Sequence, residues 1–542
     1  MLLDVKTVSS LEKVFCNPRF EAPVTDRVSG ARGETVAFQI ALQGDNSDII
    51  DFQVETAPPC PISLREVGLV PCLAPCFPDD PYVITSDPGV FPDPLLPLKD
   101  NKLRLTRSNW HAVWVSMAIP ADAVPGEYPV TIRVLDRTVT VTLEILPFEL
   151  PEQTLLSISW FYADCLRTYY KLDAWCERHW ELLEAYFKNM MEHGENVIFT
   201  PLWTVPLDTA VGHERPITQL LDIEYDANTD KYTFDFGKLE RWIRTAQKCG
   251  FRYFEMVHAF SQWGAVKTPL IVVKENGVEV KKFGWHVSAM DPMYKTFLTQ
   301  LMAELLPFLQ SLGLTKENTY FHVSDEPNAK QIGDYKNASE LLNSLIDGYP
   351  VIDAISEVEY FRDGLIRRPI PITNQFKEFD HEPLEQRWVY YCGNWQNGVP
   401  NRQFGMPSAR NRILGMLLYL YRMDGFLNWG HNFWYTQFSL ETDIDPYQIT
   451  DAGRAFSGGG SFMVYPGKNG PVDSLHYEVY REGLQDQRAL TLLEKLVGRE
   501  AAEAVIYEDV PYRMTLEQYP RETKWLLQAR DRINRAICAA MQ

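Results

Sequence analysis

Short apolar segments alternate with longer amphipathic segments along residues 155–455, and this rhythm constrains the fold more than any other feature of the chain. Eight segments have the length and composition of buried strands: Ser157–Phe161, Asn196–Phe199, Tyr253–Val257, Tyr320–Val323, Val351–Ala354, Ile370–Thr373, Trp388–Tyr391 and Gly425–Trp429. Between them, apolar residues spaced three and four apart predict helices. The helical patterns include Trp180–Met191, Leu239–Lys248, Tyr294–Leu312 and Ala338–Asp347. This order predicts a multidomain α/β protein with a (β/α)8 TIM-like barrel at residues 151–455. The alternative is an open doubly wound sheet, but no GxGxxG or P-loop sequence opens any of the helices.

Residues 1–150 have the pattern of antiparallel β-structure. Apolar residues recur at every second position over 36–42, and again over 139–145 after a turn near Asp136, which indicates a hairpin. Residues 58–97 are rich in proline, so we expect loops or extended edge segments there. An N-terminal β-sandwich is the best interpretation, with the stiff connector Pro147–Pro151 at its boundary.

Residues 456–542 are predicted to form a C-terminal appendage of strand and helices. The segment opens with a loop that we expect to be flexible, Gly458–Gly460, and continues into Tyr477–Gly483 before the helical patterns begin. Leucines spaced along 490–496 make an apolar stripe, which favours packing on the barrel over contact with a partner.

The segment Phe321–Pro327, with the sequence FHVSDEP, is a β-prone run that ends in two adjacent carboxylates and a proline. Proline disfavours the helical region for Glu326 and removes a backbone donor, so the strand is expected to stop there. Neighbours in a regular strand point to opposite faces, so Asp325 and Glu326 can share one site only where the pleat is broken. The motif therefore predicts an acid/base pair, although an acidic pair that caps the next helix has the same local sequence.

The active site of such barrels lies at the carboxyl ends of the strands. Polar and aromatic residues follow each predicted strand: Tyr162 and Asp164; Trp203; His258 and Trp263; Asp325 and Glu326; Glu357 and Glu359; Asn374 and Gln375; Tyr391, Asn394 and Trp395; and Trp429, His431, Asn432, Trp434 and Tyr435. Aromatic rings, amides and carboxylates without a basic cluster suit a carbohydrate pocket better than a phosphate pocket.

Composition narrows the classes of partner. The net charge of −20 argues against a nucleic-acid groove and against adhesion to anionic lipid, both of which need clustered Lys and Arg. No apolar stretch approaches the length of a membrane helix, so no membrane insertion is expected. No secretory signal is visible at the N-terminus, so a cytoplasmic location is the expectation.

Other catalytic chemistries have little support. The nine cysteines are scattered without zinc spacing, and no HExxH helix or GxSxG elbow is present, so we predict no cofactor and no metal. One metal alternative stays open, in which His258 and His322 act as ligands with the two acids in a hydrolase or epimerase.

Four segments resemble glycoside hydrolase family 123 and the related domain of unknown function 4091. They are HVSDEP at His322–Pro327, DGFLNWGHNFW at Asp424–Trp434, MVYPG at Met463–Gly467 and REGLQD at Arg481–Asp486. They span most of the chain in the order of the family. The resemblance implies a β-sandwich joined to a (β/α)8 barrel, and the activity of the characterised members, which are β-N-acetylgalactosaminidases.

The implied reaction is substrate-assisted and retains the configuration of the anomeric carbon. Adjacent acids suit such a mechanism, because it needs no protein nucleophile. The 2-acetamido oxygen then attacks the anomeric carbon and forms an oxazolinium ion. Asp325 would hold the amide N–H, and Glu326 would act as general acid and base. Position at the rim suggests the remaining roles. Tyr391 would form a hydrogen bond to the acetamido carbonyl. Trp395, Trp429 and Trp434 would form a wall of the pocket, and His258, Asn432 and Tyr435 would bind sugar hydroxyls.

Two alternatives remain open at this stage. The first is a glycosidase for a sugar without the acetamido group, with Glu255, Glu357 or Asp164 as nucleophile. The second is a noncatalytic glycan-binding protein. The exact sugar, its linkage and the oligomeric state are not readable from the sequence.

Overall fold

Two five-stranded sheets form the N-terminal part of the protein, in a computed structural model that describes residues 3–17, 19–392 and 398–542. Their strands are β1 (Leu3–Ser9), β2 (Arg27–Arg32), β3 (Thr35–Gly44), β4 (Ile49–Thr56), β5 (Ile62–Cys72), β6 (Gly89–Pro97), β7 (Lys102–Arg104), β8 (Trp110–Ala118), β9 (Gly126–Val134) and β10 (Arg137–Glu149). The sheet orders are β1-β3-β8-β5-β6 and β2-β10-β9-β4-β7. All pairings are antiparallel except that of β2 with β10.

Alternating side chains of the two sheets meet in one hydrophobic cluster. Val36, Phe38, Ile40 and Leu42 of β3 contribute to it together with residues 130–134 of β9 and 141–145 of β10. The predicted hairpin is present, because β9 and β10 pair from Val134 and Arg137 outward. The expectation of irregular structure over 58–97 is wrong for β5, which pairs on both sides. Proline-rich β6 is an edge strand, where the missing N–H groups are tolerated.

All eight predicted parallel strands are present in the second part of the chain. The elements in order are β11 (Leu156–Ser159), α1 (Ala163–Tyr169), α2 (Glu177–Glu192), β12 (Val197–Thr200), β13 (Asp222–Asp226), β14 (Lys231–Asp235), α3 (Gly237–Cys249), β15 (Tyr253–Met256), β16 (Ile271–Glu275), β17 (Val278–Phe283), α4 (Pro292–Ser311), β18 (Thr319–Tyr320), α5 (Ile332–Leu345), β19 (Ile352–Ala354), α6 (Val358–Arg362), β20 (Arg368–Ile370), β21 (Trp388–Tyr391), α7 (Ser408–Arg412), α8 (Leu414–Leu420) and β22 (Gly425–Asn428). The added strands β13, β14, β16 and β17 form a separate four-stranded sheet.

The parallel strands form two sheets. Six strands have the order β18-β15-β12-β11-β22-β21, and β19 pairs with β20 in a two-stranded sheet. Single parallel bridges join the two sheets at both seams, between Phe321 and Val351 and between Ile372 and Tyr390. The structure therefore shows curled parallel sheets that are joined by bridges, rather than one continuous eight-stranded ladder.

Local sequence explains where several helices begin and end. Asp291 caps α4 by accepting a hydrogen bond from the Met293 N–H at 2.9 Å, and Pro292 occupies the first helical position. Helix α3 ends at Gly250, which has a φ of 110°. No helix among the described residues has the length and hydropathy needed to cross a membrane.

The C-terminal segment is more helical than predicted. A short hairpin of β23 (Val464–Pro466) and β24 (Pro471–Asp473) precedes α9 (Leu475–Val497), α10 (Arg499–Ile506) and α11 (Thr523–Ala540). Tyr477–Gly483 lies in α9, which Ser474 caps through the Tyr477 N–H at 3.0 Å. The hydroxyl of Tyr480 meets that of Ser157 on β11 at 2.7 Å, so α9 packs on the parallel strands. The Gly458–Gly460 loop is buried rather than free.

Candidate active site

A cavity of about 300 Å³ lies beyond the carboxyl ends of the parallel strands. Three carboxyl groups line it, those of Asp208, Asp325 and Glu326. Its aromatic walls come from Trp160, Tyr162, Trp263, Tyr390, Trp429, Phe438 and Phe456, and the remaining lining residues are Leu207, Gln262, Ala354, Cys392, Leu427 and Gln437. The volume is at the lower end of the range of about 300–1,000 Å³ for small-molecule sites.

The two adjacent acids share this cavity because the strand ends before them. Strand β18 stops at Tyr320, and the following residues pair with the loop after β15 instead of continuing a regular ladder. In that loop, the Phe260 N–H donates to the Val323 carbonyl at 3.0 Å and the Trp263 N–H to the Asp325 carbonyl at 2.7 Å. Glu326 then takes a left-handed φ of 40°, which breaks the alternation of side chains.

Backbone strain is concentrated around the cavity. Four of its non-glycine lining residues have positive φ values: Asp208 at 42°, Glu326 at 40°, Trp263 at 57° and Phe438 at 60°. Such conformations cost of the order of 1 kcal/mol or more each and persist only where surrounding contacts enforce them. Trp263 and Phe438 meet edge to face at a centroid distance of 5.6 Å. The strain therefore marks this cavity as a candidate functional site.

Both acids of the pair resist ionisation. Burial raises the pKa of Asp325 well above its usual range, and the charge of Glu326 adds to that effect while His322 opposes it. Glu326 is more exposed to solvent, yet desolvation by the cavity walls raises its pKa too. A hydrogen bond from the Tyr390 hydroxyl to Glu326 Oε1 works in the opposite direction, because it stabilises the carboxylate. The pair therefore titrates as a coupled unit.

A fully buried network lies beneath the pair. His322 bonds Asp353 Oδ1 through Nδ1 at 2.9 Å and Glu255 through Nε2, and Glu255 also accepts from Trp160 Nε1 at 2.8 Å. Burial by itself would lower the pKa of His322, but the carboxylates of Glu255 and Asp353 outweigh it and raise that pKa to about 9. Because Trp160 also lines the cavity, this network supports the cavity floor.

The structure brings together only some of the predicted site residues. Asp325, Glu326 and Trp429 line the cavity. The prediction of Tyr391 needs correction, because its neighbour Tyr390 faces the cavity and Tyr391 points to the opposite face of β21. Tyr391 packs against Phe426 at 4.8 Å and under the Arg402 guanidinium at 4.7 Å. Trp395 lies outside the described residues.

Three further predicted hydroxyl or wall residues, Trp434, Tyr435 and Asn432, also do not line the cavity. Trp434 is buried and donates from Nε1 to the Val464 carbonyl at 3.1 Å. The Tyr435 hydroxyl contacts that of Thr168 at 3.0 Å. Asn432 ties the loop after β22 to Tyr162 by two backbone hydrogen bonds, of 2.8 and 3.0 Å. These side chains follow the strand ends in sequence, but they hold the loops together instead of facing the cavity.

His258 is buried beside the network rather than in the cavity. Its ring stacks on that of His322 with 4.2 Å between centroids, and neither ring nitrogen has a hydrogen-bond partner among the described residues. Burial lowers the pKa of His258 well below its usual range, and the neighbouring His322 adds to this. His258, His322 and Asp353 have the residue types of a metal site. Both nitrogens of His322 already bond carboxylates, so a metal ion would have to displace one of these hydrogen bonds.

Tyr390, Asp208 and Gln262 are among the cavity residues that the sequence did not predict, and the reasons can be identified. Tyr390 differs from the predicted Tyr391 by one position, so the alternation along β21 was the available signal. Asp208 and Gln262 lie in long loops after β12 and β15, where no periodic pattern predicts which side chain turns inward. Only the folded loops bring them to the same cavity.

Acids and aromatic rings in a cavity at the carboxyl ends of parallel strands are features that glycoside hydrolases have. The catalytic-domain model of glycoside hydrolase 123 matches residues 160–493, which is more than half of the chain. The chain belongs to glycoside hydrolase family 123.

One solved structure agrees with this family at the level of the fold. A family 123 glycoside hydrolase from Clostridium perfringens superposes with a TM-score of 0.73 at 14% sequence identity, covering 99% of this chain and 98% of that one. A GH2 β-galacturonidase from Eisenbergiella tayi is similar only at a TM-score of 0.33 and 8% identity, with coverage of 83% and 69%. Among curated proteins, no sequence matches the chain significantly.

Proposed function

We propose that this protein is a retaining, β-N-acetylgalactosaminidase-like glycosidase in which the substrate's 2-acetamido group acts as the nucleophile. One observation carries the proposal: Asp325 and Glu326 share the cavity, while none of the three nucleophiles considered from the sequence lines it. A pair of adjacent acids cannot flank a sugar from opposite sides, at the carboxyl separation of about 5 to 5.5 Å that a protein nucleophile requires.

The environment of Glu326 suits a general acid. Desolvation raises the pKa of the Glu326 carboxyl, which favours the protonated form that a general acid needs, and the Tyr390 hydroxyl orients the group. In the first step its proton moves to the glycosidic oxygen as the bond from the anomeric carbon to that oxygen breaks. The acetamido oxygen attacks the anomeric carbon at the same time and closes the oxazolinium ring.

Asp325 is placed to stabilise the charge that this ring acquires. Its carboxylate accepts no hydrogen bond from the described residues, so it is free to bind the acetamido N–H. The substrate's N–H favours the ionised form of Asp325, which burial and Glu326 oppose in the empty cavity. In the second step, water gives a proton to Glu326 and attacks the anomeric carbon, which opens the ring with net retention.

The three carboxylates that were alternative nucleophiles lie outside the cavity lining. Asp164 forms a buried bidentate pair with Arg215, at 2.9 and 3.0 Å. Glu255 bonds Trp160 and His322 in the buried network. Glu357 lies at the start of α6, outside the cavity lining, and acts on Glu326 only through its charge. These positions favour the acetamido group as nucleophile.

We also propose that the bridged parallel sheets close into a (β/α)8 barrel and that the N-terminal sheets are a β-sandwich. The single bridges at both seams and the shared N-terminal core support this interpretation. The substrate we propose is a glycan with a terminal N-acetylgalactosamine. The Clostridium perfringens relative, which is described in connection with glycolipid glycan hydrolysis, supports a glycan of that general kind.

A panel of 4-nitrophenyl glycosides tests the proposed function. We expect release of nitrophenol from the β-N-acetylgalactosaminide, inhibition by an N-acetylgalactosamine-derived thiazoline, and no turnover of the plain β-galactoside. Turnover of plain hexosides without thiazoline inhibition would refute substrate assistance. It would support the second candidate, a glycosidase for sugars without the acetamido group, in which Asp208 is the remaining described carboxylate that lines the cavity.

A further inference from the structure

Gln262 lines the cavity and has a buried acceptor atom without a partner among the described residues. Its side chain is 3% exposed, and its Nε2 donates to the Thr209 carbonyl at 2.7 Å. This bond fixes the orientation of the amide, because only the nitrogen can donate to a carbonyl. The amide oxygen Oε1 is buried and accepts no hydrogen bond from the described residues. A buried polar atom in a ligand-sized cavity without a protein partner indicates a group that a ligand satisfies.

Asp208 presents a second acceptor beside it. Its Oδ2 accepts from the Phe438 N–H at 2.8 Å, while its backbone carbonyl accepts from the Ser439 hydroxyl at 2.7 Å. These bonds tie the loop after β12 to the loop after β22 and hold the carboxylate in place. Oδ1 takes part in no hydrogen bond among the described residues. Burial raises the pKa of Asp208 to about 6, so the group is ionised at neutral pH.

Hydrogen bonds and adjacent positions in the chain fix Asp208 and Gln262 relative to each other and to the catalytic pair. Thr209, to which the Gln262 amide is bound, directly follows Asp208. Trp263, which directly follows Gln262, donates its N–H to the Asp325 carbonyl at 2.7 Å. The acceptors therefore keep a fixed place with respect to Asp325, as a site that selects among similar sugars requires.

We propose that Asp208 and Gln262 form a hydroxyl-recognition corner that accepts hydrogen bonds from sugar hydroxyls remote from the acetamido group and so selects the sugar. This inference rests on the proposed glycosidase function. A sugar hydroxyl can donate a hydrogen bond to each of these acceptors, and the negative charge of Asp208 disfavours sulfated, phosphorylated or uronic sugars at this position. A sugar that lacks the matching hydroxyl would leave a buried acceptor unpaired, which is why such sites discriminate strongly.

A cycle of enzyme variants and deoxy substrates tests the corner. Asp208→Asn keeps an acceptor for the Phe438 N–H and replaces the free acceptor with a donor, and Gln262→Met removes the amide at similar size. The substrates are the parent aryl glycoside and its 3-, 4- and 6-deoxy analogues. We expect wild type to lose at least about tenfold in kcat/KM on one analogue, and the variants to show less than about a threefold difference between that analogue and the parent.

The matched control is Asp445→Asn. Asp445 also accepts a backbone hydrogen bond, from the Tyr447 N–H at 3.0 Å, but it does not line the cavity. We expect this variant to keep the full deoxy penalty of wild type. An unchanged penalty in Asp208→Asn and Gln262→Met would overturn the corner. A purely electrostatic effect of Asp208 would likewise lower the rates on all four substrates equally and overturn it.

The outcome can be separated from failure of the proposed function. The parent sugar is whichever glycoside of the panel wild type cleaves, so the cycle also applies to a sugar without an acetamido group. If wild type cleaves none, the same cycle is run on binding of N-acetylgalactosamine and its deoxy analogues by calorimetry, and absence of binding would overturn both proposals. Rescue of Asp208→Ala by azide would identify Asp208 as a nucleophile and overturn the corner.

Discussion

Two sets of acids in this protein, the cavity pair and the acids around Asp486, have opposite properties. Asp325 in the cavity has no cationic partner within hydrogen-bonding distance among the described residues, and its pKa is raised by burial. Asp486 in α9 is fully buried, and Arg412 contacts it at 2.8 and 2.9 Å and Arg530 at 2.6 Å. Burial by itself would raise the pKa of Asp486 as well, yet the two guanidinium groups outweigh it and lower that pKa.

The difference teaches what pairing does to a buried charge. Arg530 also binds both oxygens of Glu34, at 2.8 and 2.9 Å, so the network around Asp486 joins the N-terminal sheets to α7, α9 and α11. An acid that is fully paired in this way stabilises the assembled fold, whereas removal of one partner leaves an uncompensated charge. Acids that are left unpaired in a cavity are available to a ligand and mark the functional site.

Removal of the Asp486 carboxylate from its arginine partners is expected to have the largest effect, which is on stability. Asp486→Asn leaves two buried guanidinium groups without their shared carboxylate, so we expect a loss of about 3–5 kcal/mol in the free energy of unfolding. The kcat of the folded fraction should stay unchanged, because Asp486 does not line the cavity. Urea denaturation and steady-state kinetics measure the two quantities.

The control for this variant is Asp531→Asn. Asp531 forms an exposed pair with Arg535 at 3.4 Å, one turn apart in α11. Its loss should cost no more than about 0.5 kcal/mol. Equal destabilisation by the two substitutions would contradict the role assigned to the buried network.

Substitution of the cavity acids Asp325 and Glu326 should lower activity without lowering stability. Glu326→Gln and Asp325→Asn are each expected to lower kcat/KM at least about 10²-fold on an aryl N-acetylgalactosaminide, because each removes a group that acts in the transition state. Neither should lower the unfolding temperature, since each replaces an acid that the fold does not pair. Wild-type rates in either variant would exclude the proposed mechanism.

A smaller effect is expected from Tyr390→Phe. The variant removes the hydrogen bond that holds the Glu326 carboxylate, so we expect about a tenfold loss of kcat/KM. This bond lowers the pKa of Glu326, and its loss should move the alkaline limb of the pH–rate profile to higher pH. Tyr391→Phe is the neighbouring control, because Tyr391 does not line the cavity. A shift of the limb to lower pH would contradict the assignment of Tyr390.

The smallest effect concerns the pH dependence of stability. Asp325 has a raised pKa in the folded state, so its contribution to stability is present below its usual pKa of 3.8 and is lost as the pH rises through the raised value. Asparagine does not ionise, so Asp325→Asn removes this loss of stability at higher pH. The variant should therefore gain stability relative to wild type between pH 4 and pH 8, as urea denaturation at both values would show. A constant difference across that range would argue against the raised pKa.

The positions of the strands were predictable because their apolar pattern is local. Each of the eight parallel strands overlaps its predicted range, although β18 and β20 do so only at Tyr320 and Ile370, and the hairpin of β9 and β10 lies where it was predicted. The regular pairing of β5 was not predictable from its proline-rich surroundings. One partner strand, β6, is itself rich in proline, and the other, β8, lies far along the chain. Tyr477–Gly483 was misjudged because its β-prone residues become helical under the Ser474 cap and by packing on β11.

The sequence by itself determined the alternation of strands and helices and the adjacent pair Asp325–Glu326, because both depend on residues close together in the chain. The tertiary structure decided which side chains line the cavity: Tyr390 lines it and Tyr391 does not, His258 is buried beside the network, and Asp208 and Gln262 reach the cavity from separate loops. The physical reason is that the direction of a side chain at a strand end depends on the pleat and on contacts between loops that are far apart in the sequence.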